Sequence, residues 1–427
     1  MIIMSFTRGR TSICILLLLC GALSLSAIDI SEDLYGDFSD FVGGIDPNAG
    51  LTAFPVLNVP MGGRSEGMAG AFTAVSDDIS FIEYNPAGSS MLARSELAFF
   101  HNNWIADTNV EGAVYATRFN DLGLAAGGKW LYLPFTEYNV YGERASKGYY
   151  SEAVGILNLS YNFLSSYYFS GVSAGMNIKG AFRFVPDYSD DQGSIISGSG
   201  LSQSAAQVMA DFGVLTRFDL FKFYTARERN SSAALTLRNL GRPAKGDPLP
   251  TVATAGISYK PIRPLLLSFD FSYPINLQNP ELSEKPYWAA GIAAELTPFL
   301  SMRTGALVKT GNIRFTLGSA ITLDRVSLDI NYTVDLLTQL QPFNRLSIGV
   351  RLNLGDGGRA ARSDEVDRLY LAGLDAYSKG NREEARYCWE EALRLNPKFD
   401  PAREGLSVIV RAQAIEDRIT EIERLEF

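Results

Sequence analysis

The stretch that decides the fold is MGGRSEGMAGAFTAVSDDISFIEYNPAGSSML, residues 61–92. Four glycines, Gly62, Gly63, Gly67 and Gly70, alternate there with small and apolar residues. Because glycine has no Cβ, this pattern lets backbone pack closely against other backbone. The stretch has neither the alternation of a strand nor the period of a surface helix. We therefore predict that it is a segment held inside a larger structure.

Two polar features punctuate this segment. Asp77 and Asp78 follow Ser76 and offer side-chain acceptors to the amides of a following turn. The run Asn85-Pro86-Ala87-Gly88 predicts an Asx-Pro turn that ends any helix there. On these residues alone a purely structural explanation stays open, in which the carboxylates cap and the Asn-Pro pair only turns the chain.

The order of these features carries a resemblance to a known family. A Gly/Ala-rich run, an Ala-x-x-Asp-Asp turn and an Asn-Pro-Ala signature precede the first barrel strand in the FadL family of outer-membrane long-chain fatty-acid transporters and their PorV-like relatives. Residues 61–92 resemble the N-terminal hatch of that family. The matching residues here are Ala74, Asp77, Asp78, Asn85, Pro86 and Ala87. The resemblance implies a barrel that is plugged by this segment and admits hydrophobic molecules, which leave by a hatch-dependent route through the wall.

Charge and the N-terminus bound the remaining possibilities. The net charge of -9 and the pI near 5.0, with no basic stripe, argue against nucleic acid as a partner. Residues 1–27 have a basic start, an apolar core and a small-residue site at Ala27, which predicts a cleaved signal peptide. Lipidation at Cys20 is the alternative. Cleavage after Ala27 would leave Cys388 as the single thiol, so no internal disulfide is expected.

The central region predicts a membrane barrel. After an acidic arm at residues 28–60, residues 93–355 form short alternating segments broken by turn residues. We count about fourteen strands, an even number that suits an all-β transmembrane β-barrel, whereas a soluble β-sandwich is the alternative. Tight connections at Gly311-Asn312 and Leu323-Asp324 are predicted as periplasmic turns. The longer stretches Pro134–Ser151 and Pro186–Ala205 are predicted as outer loops.

The polar faces of these strands supply the candidate binding residues. If those faces point inward, cations in the lumen could meet the carboxylate of a fatty acid. The candidates are Lys179, Arg183, Arg303, Arg314 and Arg351. The alternative is that they pair with Asp211, Asp219, Asp329 and the hatch carboxylates and only fill the barrel.

Catalysis has little support in this sequence. The single histidine is His101, and an outer-membrane phospholipase would need it paired with a serine, for which no nucleophile motif is present. We therefore predict a protein that is not an enzyme and uses no cofactor and no metal ion.

A change of character follows Gly355. Residues 356–364 are predicted as a linker, and residues 365–427 as a helical tail. The spacing in Val366–Lys398 resembles one tetratricopeptide repeat, whose packing positions are Gly373, Ala385, Trp389, Ala392 and Pro397. A third helix carries an apolar stripe at Ile415, Ile419 and Ile422 that could bind a periplasmic protein or a second copy.

These observations predict a FadL-like outer-membrane channel for hydrophobic small molecules, long-chain fatty acids foremost, with outer-membrane lipid around it. An even number of strands returns the chain to its side of entry, so the tail is predicted in the periplasm. The alternative function is a PorV-like docking platform that binds periplasmic or exported proteins through the tail.

Overall fold

The structure is a computed structural model that describes residues 46–105, 107–138, 141–189, 194–310, 312–335 and 344–425. The predicted signal peptide and the acidic arm up to residue 45 lie outside the described residues.

Fourteen antiparallel strands close into one barrel, each paired with the next and β1 with β14. The strands are β1 (Ser95–Asn103), β2 (Asn109–Phe119), β3 (Leu122–Tyr138), β4 (Arg144–Phe163), β5 (Val172–Phe184), β6 (Ala205–Phe218), β7 (Ser231–Gly241), β8 (Val252–Ile262), β9 (Leu265–Pro274), β10 (Tyr287–Thr297), β11 (Leu300–Lys309), β12 (Asn312–Leu323), β13 (Val326–Asp335) and β14 (Asn344–Gly355). The predicted fourteen-stranded all-β barrel is confirmed.

Alternation along each strand sorts the side chains between the two faces of the wall. Ile330 and Ile348 pair across β13 and β14 and are exposed on the outside. The next pair, Asn331 and Ser347, is buried in the lumen. A one-residue step moves a side chain to the other face, so the apolar positions meet lipid and the polar positions meet the interior.

Aromatic residues mark both rims of this apolar surface. Outward-facing rings lie near one rim at Phe119, Phe163 and Phe218 and near the other at Tyr149, Phe184 and Tyr273. Aromatic girdles on either side of an apolar band are typical of barrels that span outer membranes.

The two ends of the barrel differ. One end, here called the turn end, holds the start of β1, the end of β14 and two-residue connections such as residues 120–121 and 324–325. The opposite end, the loop end, holds residues 185–189, 194–204, 242–251 and 275–286. Strand parity puts the β11–β12 connection at the loop end and the β12–β13 connection at the turn end. Gly311 itself lies outside the described residues, but β12 begins at Asn312 at the loop end and ends at Leu323 at the turn end. The prediction that both connections are periplasmic turns is therefore wrong, because consecutive connections alternate between the ends.

The stretch Pro134–Ser151 is also mostly strand rather than loop. β3 and β4 stay paired beyond the last pair that β3 makes with β2, Asn109 with Tyr132. Pro134 is tolerated because it lies in that extension, where β3 has become an edge strand and needs fewer ladder donors.

Six helices lie in the described residues: α1 (Arg64–Gly67), α2 (Phe81–Tyr84), α3 (Ser199–Gln203), α4 (Arg359–Ser378), α5 (Arg382–Leu395) and α6 (Asp400–Leu425). Short 3-10 turns add Pro55–Asn58, Pro86–Met91 and Pro280–Leu282. None of the helices in the described ranges is long and apolar enough to cross a membrane.

The tail begins earlier than predicted. α4 starts at Arg359, inside the predicted linker 356–364, because the Asp356 carboxylate accepts the Gly358 and Ala360 amides at 2.9 and 2.7 Å. The tail then contacts the turn end: Lys398 pairs with Asp121 and Arg227 with Asp367. The connection is therefore short, and the tail lies against the barrel.

Trp389 organises the tail. Its indole is buried, and its Nε1 donates to the Tyr370 carbonyl at 3.2 Å. A Cβ at Gly373 would overlap this ring, and one at Gly405 would lie 2.8 Å from it, so α4 and α6 approach the indole because both positions are glycine. Ala385 and Ala392 are buried in the same cluster. The helical hairpin packs as the sequence spacing suggests, while its assignment as a tetratricopeptide repeat stays a prediction.

Candidate functional site

The lumen is filled by residues 53–92, which we call the hatch. Phe54, Phe72 and Phe81 are its largest fully buried side chains. Part of the predicted acidic arm belongs to it, because Phe54 and Val56 are buried and the Val56 amide donates to Glu152 at 2.9 Å. The hatch therefore starts before Met61, because several apolar side chains in residues 53–60 are already buried in the lumen.

The Asn-Pro-Ala signature ties the hatch to itself and to the wall. Asn85 Oδ1 accepts the Ala87 amide at 3.0 Å, and Asn85 Nδ2 donates to the Thr73 carbonyl at 2.9 Å. The wall then reaches the same turn: Asn158 on β4 donates to the Pro86 carbonyl at 2.9 Å, and Ser173 on β5 donates to the Ala87 carbonyl at 2.7 Å. Residues 85–92, here called the fastened turn, are thus bonded directly to neighbouring strands.

The two adjacent carboxylates diverge and do different things. Asp77 binds Arg64 of α1 at 2.7 Å. Asp78 caps the next turn through the Ser80 amide at 2.9 Å and binds Arg351 of β14 at 2.8 Å. One carboxylate holds a helix inside the hatch, and the other holds the hatch to the wall.

Most of the predicted lumenal cations are neutralised. Lys179 binds Asp211 at 2.7 Å, and Arg303 binds Asp329 at 2.6 Å. Arg183 donates through Nε to the Gln203 carbonyl at 3.2 Å, and the Arg314 guanidinium lies 5.3 Å from the centre of the Trp104 ring. These contacts favour the alternative in which the cations pair with neighbouring residues and fill the barrel over the one in which they bind a ligand carboxylate.

Asp219 does not belong to this set. It follows the end of β6 and pairs with Lys222 and Arg229 at the turn end. The suggestion that it fills the lumen is wrong, because the strand stops one residue before it. His101 is exposed and contacts Glu111 across β1 and β2 at 2.8 Å, so its observed partner is a carboxylate rather than a serine.

Sequence reasoning missed the glycines of the wall. A Cβ at Gly175 would overlap the Pro86 carbonyl, one at Gly213 would overlap Asn85 Oδ1, and one at Gly123 would overlap the backbone of Ser89 and Ser90. Backbone therefore packs on backbone where the fastened turn meets β3 and β5, while the side chains of Asn85 and Pro86 pack on the backbone of β6. Glycine at inward-facing strand positions was the signal that could have revealed this contact.

A cavity of about 160 Å³ opens at the loop end and reaches down to the hatch. Leu51, Leu249 and Leu282 line its upper part. Its floor is formed by hatch residues: Glu66, Ala69, Gly70, Thr73 and Tyr84. We call it the loop-end cavity.

A second cavity, of about 280 Å³, lies at the turn end. Arg64 of the hatch lines it together with Leu266, Ala293, Arg303 and Thr322 of the wall. We call it the turn-end cavity.

Residues 64–73, here called the partition, lie between the two cavities. On β10, Ala289 lines the loop-end cavity and Ala293 the turn-end cavity, and between them Gly291 would place a Cβ 2.9 Å from the Met68 Cβ. The same order holds on the next strand, where Gly305 lies between Leu307 and Arg303 and contacts Met68. One short segment of the hatch therefore separates the two spaces.

Side chains of the wall hold the partition mainly through its backbone. Asp270 accepts the Phe72 and Thr73 amides at 3.0 and 2.9 Å. Thr316 donates to the Gly67 carbonyl at 3.1 Å, and Asn331 donates to the Gly63 carbonyl, just before the partition, at 2.9 Å. Each bond is a single hydrogen bond of ordinary length.

Glu66 is the unusual group of the partition. Burial raises the pKa of its carboxyl to about 7, while Ser347, Arg314 and Arg345 act in the opposite direction. Its oxygens lie 3.4 Å from Asn102 Nδ2, and it forms part of the floor of the loop-end cavity. A buried carboxylate costs free energy, so its charge state affects how well the partition packs.

The wall is irregular beside this cavity. Among the described strand pairs, one register shift lies well inside the barrel, between β6 and β7 at Ala210 and Phe212. Asn239 has a positive φ of 58° there, and its amide donates to Asp211 at 2.8 Å. The neighbouring Arg238 donates to the Glu83 carbonyl at 2.9 Å. This bulge joins the wall, the hatch and the loop-end cavity.

Comparison with known proteins places the chain in a family. A family model described as "Uncharacterised protein family (UPF0164)" matches residues 44–357, so the chain belongs to that family. A UPF0164 protein of Treponema pallidum (strain Nichols) is 28% identical over 390 residues, covering 87% of this chain and 86% of the relative. Another from the same organism is 26% identical, covering 82% and 74%.

Two solved structures are similar at low identity. The CymD monoaromatic hydrocarbon channel is 12% identical with a TM-score of 0.46, covering 71% of this chain and 99% of that one. A Pseudomonas aeruginosa FadL homologue is 9% identical with a TM-score of 0.40, covering 68% and 97%.

Proposed function

We propose that this protein is an outer-membrane channel for hydrophobic small molecules, with long-chain fatty acids as the expected class. The observation that carries the proposal is the loop-end cavity, which opens at one end of a membrane barrel and is floored by the hatch. A barrel filled only for stability would have no need of an open space that leads to its plug. Leu51, Leu249 and Leu282 offer apolar surface for an alkyl chain, and the polar residues of the same lining could bind a head group.

The proposed path runs through the partition. A molecule in the loop-end cavity meets residues 64–73, and displacement of that segment would connect the two cavities. The fastened turn would stay in place, because it is bonded to β4 and β5 and lines neither cavity. Gating would then need a local movement of the hatch rather than its release from the barrel.

Orientation follows from strand parity. With fourteen strands, β1 begins and β14 ends at the turn end, and we take this end to face the periplasm, from which an exported chain inserts its strands. The tail is therefore proposed to be periplasmic, and the loop-end cavity to face outward. A membrane-impermeant maleimide should spare Cys388 in intact cells and label it after the outer membrane is disrupted. Labelling in intact cells would contradict this orientation.

Blocking the cavity tests transport. In a Cys388→Ser background, Leu51→Cys places a thiol at the lining of the loop-end cavity, and a bulky thiol reagent there should slow the uptake of a fluorescent fatty acid into liposomes. Leu201→Cys is the matched control, because it is exposed at the same end but does not line the cavity. Equal uptake before and after modification of Leu51→Cys would count against the cavity as an entry path.

A docking role is the second candidate, and one observation favours it. On α6, Ile415, Ile419 and Ile422 are half exposed and spaced by four and three residues, as in a helix–helix seam. We propose that this stripe binds a helix of a periplasmic protein. Ile419→Glu should abolish co-purification of that protein from crosslinked cells, while Arg418→Glu, beside the stripe, should not. Recovery of a second copy of this chain instead would identify a homodimer.

A further inference from the structure

We infer that the turn-end cavity binds an oxyanion head group, the carboxylate or phosphate of an amphiphile. The inference rests on the proposed function and deepens it, since it names a binding site on the far side of the partition. It goes beyond the loop-end cavity, because the two spaces share no lining residue in the described structure.

The lining of this cavity is strongly basic. Five cationic side chains line it, and among its described lining residues Glu295 is the single acid. The cations are Arg64, Lys260, Arg263, Arg303 and Arg351. Glu295 is exposed near the end of β10. Several positive charges gathered around a small space attract an anion.

Three of the five cations already have counter-charges. Arg64 binds Asp77, Arg303 binds Asp329, and Arg351 binds Asp78. These pairs are short, between 2.6 and 2.8 Å: the first lies within the hatch, the second within the wall, and the third joins the hatch to the wall. A structural role therefore accounts for these three cations without any ligand.

The other two cations form no short ion pair with a described residue. Arg263 donates to the Thr225 carbonyl at 2.7 Å, a neutral acceptor. The Lys260 side chain makes no hydrogen bond or short ion pair with a described residue. Its positive charge acts on Asp77, which is itself paired with Arg64. Lys260 is only partly exposed, so its ammonium faces a space in which an anion would replace water as its partner.

The rest of the lining suits the chain of an amphiphile. Leu266, Ala293 and Leu300 supply apolar surface beside the cations. An amphiphile whose oxyanion head group binds Lys260 and Arg263 would place its alkyl chain along this surface. An inorganic anion would bind the cations but has no alkyl chain to bury against the apolar surface.

Occupancy of this cavity would act on the partition. Arg64 is the first residue of α1 and contacts both the cavity and Asp77. An oxyanion bound there would compete with Asp77 for the same guanidinium. Loss of that pair would loosen the end of the partition that faces the turn end, so a bound head group would favour the open arrangement.

Calorimetric titration of the full chain in zwitterionic detergent tests the site, with protein-free micelles subtracted. The probes are octanoate, octanol with the same chain and no charge, and inorganic phosphate. We expect Lys260→Gln to weaken octanoate binding about tenfold, the effect of one lost charge-assisted contact, and to leave octanol unchanged. Lys245→Gln is the matched control, because Lys245 is an exposed lysine at the loop end.

Each outcome decides something. Equal octanoate affinity in Lys260→Gln and the parent protein would overturn the site. Competition by phosphate would show that the shared oxyanion is recognised, and its absence would restrict the ligand to carboxylate amphiphiles. Octanoate binding that depends on Lys260 without liposome uptake would keep the site and reject transport, while uptake without such binding would do the reverse.

Discussion

Two regions of one hatch contact the barrel in different ways. The fastened turn, residues 85–92, packs closely on β3, β5 and β6 across inward-facing glycines and lines neither cavity. The partition, residues 64–73, also packs on glycines, but it has a cavity on either side and carries the buried carboxyl of Glu66.

The difference separates two tasks that a plug must perform. A plug has to stay in the barrel, and a plug that gates has to move. The Asn-Pro-Ala signature performs the first task, since its bonds to Asn158 and Ser173 hold the hatch to the wall. The partition suits the second, because the space for movement is already beside it. In the proposed mechanism, the most recognisable motif of the sequence is therefore the anchor and not the gate.

The largest effect should come from filling the gap at the anchor. Gly175→Val would drive side-chain atoms into the Pro86 carbonyl and should destabilise the seated hatch by about 3 kcal/mol, at the upper end of overpacking costs. Gly155→Val on the neighbouring strand is the control, because a Cβ there meets no atom within 4 Å. Limited proteolysis should cut the hatch in the first variant only. Equal protection in both would show that the glycine contact does not hold the anchor.

A smaller effect is expected at Asn85. Asn85→Ala removes the acceptor of the Ala87 amide and the donor to the Thr73 carbonyl, and each buried group left without a partner costs about 1–3 kcal/mol. The barrel should still assemble, since β1 to β14 do not depend on this turn. We expect normal heat-modifiability on gels together with faster leakage of a hydrophobic dye into liposomes. Loss of the folded band would mean that the turn supports the wall itself.

The smallest effect is expected from pH, and it should be confined to the partition. Because burial raises the pKa of Glu66 to about 7, the folded state favours its uncharged form. Packing of the partition should therefore be best at low pH and weaken as the pH rises towards and above 7. Uptake of an uncharged dye should rise a few-fold between pH 5 and pH 8, and Glu66→Gln should hold it at the low-pH rate. An unchanged pH profile in that variant would remove Glu66 from the gate.

The sequence predicted what depends on local pattern. Period-two alternation is a property of neighbouring residues, so the strands could be counted, and the Asx turn at Asn85 is encoded within three positions. The partition depends on contacts such as Met68 with Gly291 and Gly305, which join segments far apart in the chain. No local pattern contains that information.

The errors have the same origin. The misplaced turn at Gly311-Asn312 followed from judging a connection by its length, although strand parity decides the end at which it lies. The linker was drawn too long because the capping carboxylate of Asp356 precedes the helix that it starts. The candidate cations were correctly placed on strands, but the pairing of Arg303 with Asp329 and Arg351 with Asp78 needed the closed barrel.

One measurement compares the two regions directly. Met68 in the partition and Met91 in the fastened turn are both buried methionines. In a Cys388→Ser background, Met68→Cys and Met91→Cys should both react slowly with a thiol reagent in the absence of ligand. Addition of a long-chain fatty acid should accelerate labelling of Met68→Cys and leave Met91→Cys unchanged. An equal acceleration at both sites would show that the hatch moves as a whole, and acceleration at neither would contradict a gate at the partition.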